Sequence, residues 1–115
     1  MEALNDILAD LLRREPIFHR PDFPTRMSPD YFEIGASGRR YDHAFILKHL
    51  AENPPVDAAA AGWEITDTCL RPLSAHTFLL TYTLNQQPRL TRRSTLWRRG
   101  PQGWDILYHQ GTIVI

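Results

Sequence analysis

The sequence predicts an α+β fold in which a curved, cone-like antiparallel sheet and N-terminal helices enclose a pocket. Three observations support this prediction. Helical periodicity is confined to the first half of the chain, apolar and polar residues alternate from Trp63 to the end, and turn residues divide that second half into four strands. Helices therefore precede the strands of the second half instead of alternating with them, which argues against a doubly wound parallel sheet.

Length and composition favour one globular domain over residues 1–115. The 115 residues are 43% hydrophobic and 23% charged, which is close to the average of soluble domains. The formal net charge of zero argues against a dedicated nucleic-acid or anionic-membrane binder. The lone Cys69 permits no internal disulfide, and no apolar stretch is long enough for a transmembrane helix. The acidic, amphipathic N-terminus is unlike a signal peptide, so we expect a cytoplasmic protein.

The first half of the chain contains two predicted helices and a hairpin. Leucine and isoleucine recur at helical spacing from about Ala3 to Glu15, and Pro16 ends that helix. Four prolines in residues 16–30 exclude a long regular element, and Ser28-Pro29-Asp30 has the pattern of a short helical start. Residues 31–41 form a predicted hairpin that turns at Gly35–Gly38.

The second predicted helix runs from about His43 to Glu52, with Asp42 as its N-cap. Residues 54–62 are either a connecting loop or an added helical turn at the four alanines. Strands follow over Trp63–Leu70, His76–Leu84 and the two arms of a C-terminal hairpin that turns at Gly100–Gly103. Both faces of those two arms mix apolar and polar residues, which predicts that helices cover one face and another subunit covers the other.

Three phrases of the sequence are similar to a known superfamily. EPIFHRP after the first helix, EIGASGRRY in the hairpin, and RRSTLW followed by GWDILYHQGT resemble an uncharacterised bacterial branch of the nuclear-transport-factor-2-like superfamily. The resemblance implies a curved sheet around a pocket and a homodimer formed through the outer face of the sheet, and we expect no cofactor. Relatives include isomerases, dehydratases and cyclases, but their catalytic residues do not match this chain residue by residue. The proline-rich residues 23–30 replace a longer second helix of the relatives.

Alternation along the C-terminal hairpin leads to a predicted cavity. Arg93, Thr95 and Trp97 share one face of its first strand, and Tyr108, Gln110 and Thr112 share one face of its second. In the relatives that this chain resembles, polar residues at the places of Thr95 and Gln110 point into the cavity. Glu33 on the first hairpin can reach the same space. The predicted ligand-binding residues are therefore Glu33, Arg93, Thr95, Trp97, Tyr108 and Gln110.

Within this cavity, Arg93 is expected to hold an anionic or carbonyl oxygen, and Glu33 is expected to orient Arg93 or act as a base. Simple exposure on a strand is the alternative for both residues. If the face assignment is reversed, His109 and Ser94 become the cavity residues. The ordinary pKa of histidine lies near neutrality and suits a general base, but strict alternation places His109 on the other face of the strand.

Two classes of function remain open at this stage. The first is a small-molecule pocket protein, either a cofactor-free lyase or isomerase or a pure binder of a small polar or anionic molecule. The second is a non-catalytic dimerisation module with a vestigial pocket.

The spacing of the five histidines and Cys69 matches no zinc motif. Arginines cluster in residues 89–99 beside Trp97, but alternation sends Arg92 and Arg93 to opposite faces, which favours solvated or interface arginines over nucleic-acid binding.

Overall fold

The computed structural model describes residues 3–115 and confirms the α+β class, with helices first and a curved sheet after them. Its elements in chain order are α1 (Leu4–Leu12), β1 (Met27–Ile34), β2 (Arg40–Asp42), α2 (His43–Glu52), α3 (Ala58–Ala61), β3 (Glu64–Pro72), β4 (Thr77–Asn85), β5 (Leu90–Gly100) and β6 (Gly103–Ile113). Two short 3₁₀ turns, Pro16–Phe18 and Phe23–Arg26, connect α1 to β1. No helix within residues 3–115 is long and apolar enough to cross a membrane.

One six-stranded sheet has the order β2-β1-β6-β5-β4-β3. The strands β3 to β6 form the predicted meander, and β1 with β2 forms the predicted hairpin. The hairpin joins the meander through a parallel pairing of β1 with β6, the one parallel contact in the sheet described here. This pairing brings the first strand of the chain beside the last, so residues 31–34 can contribute to a site on the C-terminal hairpin.

The residues from Met27 to Asp30 belong to β1, so the predicted helical start at Ser28 is wrong. The Ser28 hydroxyl donates to Asp30 Oδ1 at 2.8 Å instead of capping a helix. Pro29 lies within the irregular part of the β1–β6 pairing, between the Met27–Ile106 and Phe32–Tyr108 pairs. A proline is tolerated there because no ladder hydrogen bond needs its missing N–H.

The core lies between the helices and the inner face of the sheet. Alternate residues of β4 supply its centre, and Phe78, Leu80, Tyr82 and Leu84 are all buried. Ile7 and Leu11 of α1 and Ile46 of α2 close it from the helical side. At one end of this core the packing gives way to a cavity lined by both apolar and polar residues.

A β-bulge in β6 changes which residues face that core. Leu96 pairs with Tyr108 and Trp97 pairs with Ile106, so Leu107 is an extra residue on β6. A bulge bends its strand and breaks the strict two-residue period. Trp104 and Ile106 therefore face the core before the bulge, and His109 and Gly111 face it after the bulge.

Candidate functional site

The candidate site is a cavity of about 360 Å³ between the helical segments and the inner face of the sheet. This volume lies within the range of small-molecule sites. Most of its lining is apolar and comes from the 3₁₀ turns, α2 and the segment after it: Pro16, Ile17, Phe23, Ile46, Leu50, Val56 and Trp63. Its polar lining is His19, Glu33, His49, Gln86, Arg93 and His109.

Strand register brings three of these polar residues together on the floor of the cavity. Glu33 of β1 pairs with His109 of β6, and His109 pairs with Thr95 of β5. Arg93 lies two residues from Thr95 on the same face, where its partner on β6 is Gly111. A Cβ on Gly111 would lie only 3.2 Å from the Arg93 guanidinium carbon, so the absence of a side chain there makes room for the arginine.

Arg93 is held at the edge of the cavity by two neighbours. Its Nε donates to Thr91 Oγ1 at 3.0 Å, and its Nη1 lies 3.4 Å from Nε2 of His109. Burial lowers the pKa of Arg93 from its ordinary value. A guanidinium nevertheless keeps its proton in proteins, so Arg93 supplies a positive charge to the cavity.

Glu33 supplies the carboxyl group of the cavity. Its Oε1 accepts a hydrogen bond of 2.7 Å from the buried hydroxyl of Tyr31. Burial raises the pKa of Glu33, while this hydrogen bond and the charge of Arg93 oppose the rise. Glu33 and Arg93 therefore interact electrostatically across the site.

Beneath the floor lies a second carboxyl group, Glu15, which is fully buried just after α1. Three donors surround it: the Tyr82 hydroxyl at 2.6 Å and the Thr95 hydroxyl at 2.7 Å reach Oε1, and the Trp97 indole N–H at 2.9 Å reaches Oε2. Burial raises the pKa of Glu15 to about 7, and the three hydrogen bonds and Arg93 oppose that rise. Glu15 is thus poised to change its charge near neutral pH.

His109 connects this hidden carboxyl group to the cavity. Its Nδ1 lies 2.7 Å from Thr95 Oγ1 and 3.6 Å from Glu15 Oε1. Burial and the nearby Arg93 charge lower the pKa of His109 to about 3, so the ring is neutral at pH 7. A neutral imidazole has one N–H donor and one lone-pair acceptor, which suits it to hydrogen-bond a ligand.

The six residues predicted from the sequence fall into three groups. Glu33 and Arg93 line the cavity, and Thr95 and Trp97 lie buried beneath it as partners of Glu15. Tyr108 and Gln110 lie on the outer face of the sheet, where the Tyr108 hydroxyl donates to Gln110 Oε1 at 2.6 Å. Gln110 lines a separate groove there together with Arg92 and Ser94.

The bulge at Leu107 explains why Tyr108 and Gln110 lie apart from Arg93. Strict alternation puts Ile106, Tyr108 and Gln110 on one face, but the extra residue turns the last two outward and turns His109 inward. No feature of the residues GWDILYHQG marks the bulge. Ser94, the other residue of the reversed assignment, pairs with Gln110 and lies on the outer face with it.

Glu15 was not among the predicted site residues, although the sequence contains a signal for its burial. Ile7, Leu11 and Glu15 recur at intervals of four, and Ile7 and Leu11 are buried residues of α1. This spacing places Glu15 on the apolar stripe of the helix predicted from about Ala3 to Glu15, although α1 itself ends at Leu12. Within residues 3–115, no three acidic, cysteine or histidine side chains come together as metal ligands.

Comparisons with solved structures identify the fold. A DUF3225-family protein of unknown function from Pectobacterium atrosepticum aligns with a TM-score of 0.73 at 17% identity over 97% of this chain and 91% of its own. An NTF2-like protein from Cytophaga hutchinsonii gives 0.72 at 10% identity over 98% and 100% of the two chains. A putative calcium/calmodulin-dependent kinase II association domain from Exiguobacterium sibiricum gives 0.69 at 16% identity over 100% and 97%.

These similarities show that the chain has the NTF2-like, cystatin-like fold, a pocket-type α+β architecture, which the resemblance of the sequence implied. No protein-family model matches the sequence, and no curated protein matches it. At identities of 10 to 17%, the matches define the fold and leave the function to the site.

Proposed function

We propose that the cavity binds a small organic molecule that presents a polar or anionic oxygen to Arg93 and an apolar body to Phe23, Ile46 and Trp63. The observation that carries this proposal is the convergence of Arg93, Glu33 and His109 in a cavity whose remaining lining is mostly apolar. Few polar groups in an apolar concavity are the usual composition of a ligand site. Their perturbed pKa values support a functional role.

The same arrangement supports cofactor-free proton transfer. Glu33, whose pKa is raised by burial, would take a proton from a carbon between a carbonyl group and a C=C double bond, and the electrons of the broken C–H bond would move onto the carbonyl oxygen. Arg93 would hold the resulting dienolate oxygen, and Glu33 would return the proton to the far carbon of the double bond, which shifts into conjugation with the carbonyl group. This is the chemistry of an isomerase, whereas a lyase would expel a leaving group from the carbon next to the enolate and transfer the proton to that group.

The experiment is a ligand-detected NMR screen with small carboxylates and carbonyl compounds, followed by thermal denaturation with each compound that binds. We expect at least one compound to raise Tm in the wild-type protein, because a ligand that binds only the folded state stabilises it. Arg93→Ala should abolish that rise. Arg92→Ala is the matched control, since Arg92 is the adjacent arginine on the outer face.

A second variant tests the position of the guanidinium without removing it. Gly111→Ala introduces a Cβ 3.2 to 3.3 Å from three atoms of Arg93, which must then move. We expect the variant to fold and to bind the same compounds more weakly. Equal binding by wild type, Arg93→Ala and Gly111→Ala, or no binding by any compound, would favour the alternative of a non-catalytic module with a vestigial pocket.

We propose further that the protein is a cytoplasmic homodimer. The outer face of the sheet carries an apolar row formed by the paired residues Leu79, Leu96, Tyr108 and Phe32, whereas α1 and α2 pack on the inner face. That row supports a two-fold interface and is the feature that favours an interaction module as the second candidate function. A two-fold interface on this face and an interaction function are both compatible with ligand binding, because the cavity opens on the opposite side of the sheet.

A further inference from the structure

The hydrogen bonds beneath the cavity determine where the proton of His109 lies. The Thr95 hydroxyl has a single proton and two neighbours at 2.7 Å, Glu15 Oε1 and His109 Nδ1. Above its pKa of about 7, Glu15 is an ionised carboxylate that only accepts hydrogen bonds, so Thr95 must donate its proton to Glu15. Thr95 Oγ1 then accepts from His109, which requires a proton on Nδ1 and leaves a lone pair on Nε2.

We infer that Glu15, acting through Thr95, fixes His109 in the Nδ1-protonated tautomer and presents Nε2 to the cavity as a hydrogen-bond acceptor. Glu15 and Thr95 are positioning residues in this arrangement, because neither lines the cavity. The 3.4 Å contact between Arg93 Nη1 and His109 Nε2 agrees with it, since a guanidinium N–H can donate only to an unprotonated nitrogen.

This tautomer adds a chemical requirement to the ligand of the proposed function, on which this step rests. Arg93 offers a donor and His109 offers an acceptor 3.4 Å apart. A molecule with a hydroxyl next to a carboxylate or carbonyl oxygen can satisfy both at once, because its two oxygens lie at a similar separation. The hydroxyl would donate to Nε2 in place of Arg93, and Arg93 would turn to the second oxygen.

Replacement of Glu15 by glutamine should reverse the tautomer. The Trp97 indole N–H can only donate, so the amide oxygen of Gln must face Trp97 and its NH₂ group must face Tyr82 and Thr95. Both hydroxyls can change from donor to acceptor, and Thr95 then donates to His109 Nδ1. The ring proton moves to Nε2, where it opposes Arg93.

The first test is ¹⁵N NMR of the histidine rings at pH 8.5, which distinguishes a protonated ring nitrogen from an unprotonated one. We expect protonated Nδ1 in the wild type, in Thr95→Ser and in Tyr82→Phe, which removes a Glu15 partner without touching His109. We expect protonated Nε2 in Glu15→Gln. A wild-type proton on Nε2, or an unchanged tautomer in Glu15→Gln, would overturn the inference.

The wild-type protein provides the same test by titration, should the glutamine variant fail to fold. Lowering the pH to 5.5 protonates Glu15 and removes its demand for the Thr95 proton, so the His109 signals should shift although the ring stays neutral. The ionisable groups facing Glu15 are Tyr31 of β1, Tyr82 of β4, Arg93 of β5 and His109 of β6. Glu33 of β1 faces His109, with which it pairs. Constant His109 signals would also contradict the inference.

The second test compares mandelate with phenylacetate by calorimetric titration, a pair that differs by one hydroxyl. We expect the wild type to bind mandelate roughly tenfold or more tightly, because a site built for a hydroxyl rejects the analogue that lacks it. Glu15→Gln should lose this preference. Equal binding of the two acids, or binding of neither, would overturn the hydroxyl requirement, while the NMR result decides the tautomer independently of any ligand.

Discussion

Glu15 and His109 are two buried ionisable residues whose pKa values move toward the neutral form. Burial raises the pKa of Glu15 to about 7 and lowers that of His109 to about 3. The carboxyl group is kept in the interior by three donors, and the imidazole by its contact with Thr95. Leaving any of these polar partners unpaired would cost about 1 to 3 kcal/mol, so they act as one network.

The sequence revealed part of this network. Arg93, Thr95 and Trp97 share a strand face that alternation alone assigns, and all three lie on the inner face. His109 and Glu15 were not placed there because each depends on a tertiary feature. His109 faces inward only because of the bulge at Leu107. Glu15 continues the four-residue spacing of Ile7 and Leu11, but the three donors that hold its carboxyl group in the interior come from the distant strands β4 and β5.

The opposite pKa shifts predict a characteristic pH dependence of stability. The Glu15 contribution is full below its ordinary pKa of 4.5 and is lost as the pH rises through about 7. The His109 contribution is full above its ordinary pKa of 6.5 and is lost as the pH falls toward about 3. Between these two ordinary values the folded chain holds a proton on Glu15 and the unfolded chain holds one on His109, so the two effects cancel.

We therefore expect Glu15→Gln to remove the cancellation. From pH 6.5 down to 4.5, its free energy of unfolding should fall relative to wild type, with a slope approaching about 1.4 kcal/mol per pH unit. Urea denaturation across this interval measures the difference, in which all other ionisable groups cancel. Asp6→Asn, an exposed change on α1, should follow the wild-type profile. Parallel profiles for Glu15→Gln and wild type would contradict the shifted pKa of Glu15.

Among the elements, α2 was predicted with its bounds and its cap, and β6 was predicted only in part. Asp42 lies before an apolar helical stretch that Asn53-Pro54-Pro55 ends, so local sequence is sufficient to define α2. The bulge in β6 and the parallel pairing of β1 with β6 depend on contacts between distant residues. Local periodicity contains no information about either, and these two features determine which side chains line the cavity.

The cap of α2 should matter for the cavity, because Ile46, His49 and Leu50 of this helix line it. Asp42 Oδ1 accepts from the Phe45 N–H at 2.8 Å, and removal of such a cap typically costs about 1 kcal/mol. We expect Asp42→Ala to lower the free energy of unfolding by about that amount and to accelerate hydrogen exchange throughout α2.

The matched control for this prediction is Asp57→Ala at the start of α3. Asp57 Oδ1 accepts from the N–H groups of Ala59 and Ala60, but the four residues of α3 include no buried side chain. Its loss should accelerate exchange only locally and should change global stability less. If both variants lower the free energy of unfolding equally, the cap of α2 contributes no more to stability than the cap of α3, which would contradict the prediction.

For the whole molecule, the sequence predicted the fold class, the hairpin and the four-stranded meander, because these follow from local patterns.

The two faces of the sheet differ in the side chains that they carry. Paired residues across four strands form an apolar row on the outer face: Leu79, Leu96, Tyr108 and Phe32. Phe32 and Tyr108 pack edge to face at 5.1 Å between ring centroids, and Arg40 lies over Phe32 at 4.2 Å. The next row on this face is polar and includes Thr81, Ser94 and Gln110.

An apolar row bordered by polar side chains on a sheet face suits a two-fold interface, in which the same patch packs against its copy. We expect light scattering at micromolar concentration to give twice the chain mass of 13.3 kDa. Leu96 lies in the middle of the row, so Leu96→Arg would bring two positive charges together near the two-fold axis and should yield monomers. Leu73→Arg is the control, because Leu73 is 53% exposed in the turn between β3 and β4, away from the row. A wild-type mass of 13.3 kDa, or an unchanged dimer in Leu96→Arg, would exclude this face as the interface. The monomeric Leu96→Arg variant should still bind ligand, since the cavity lies on the other side of the sheet.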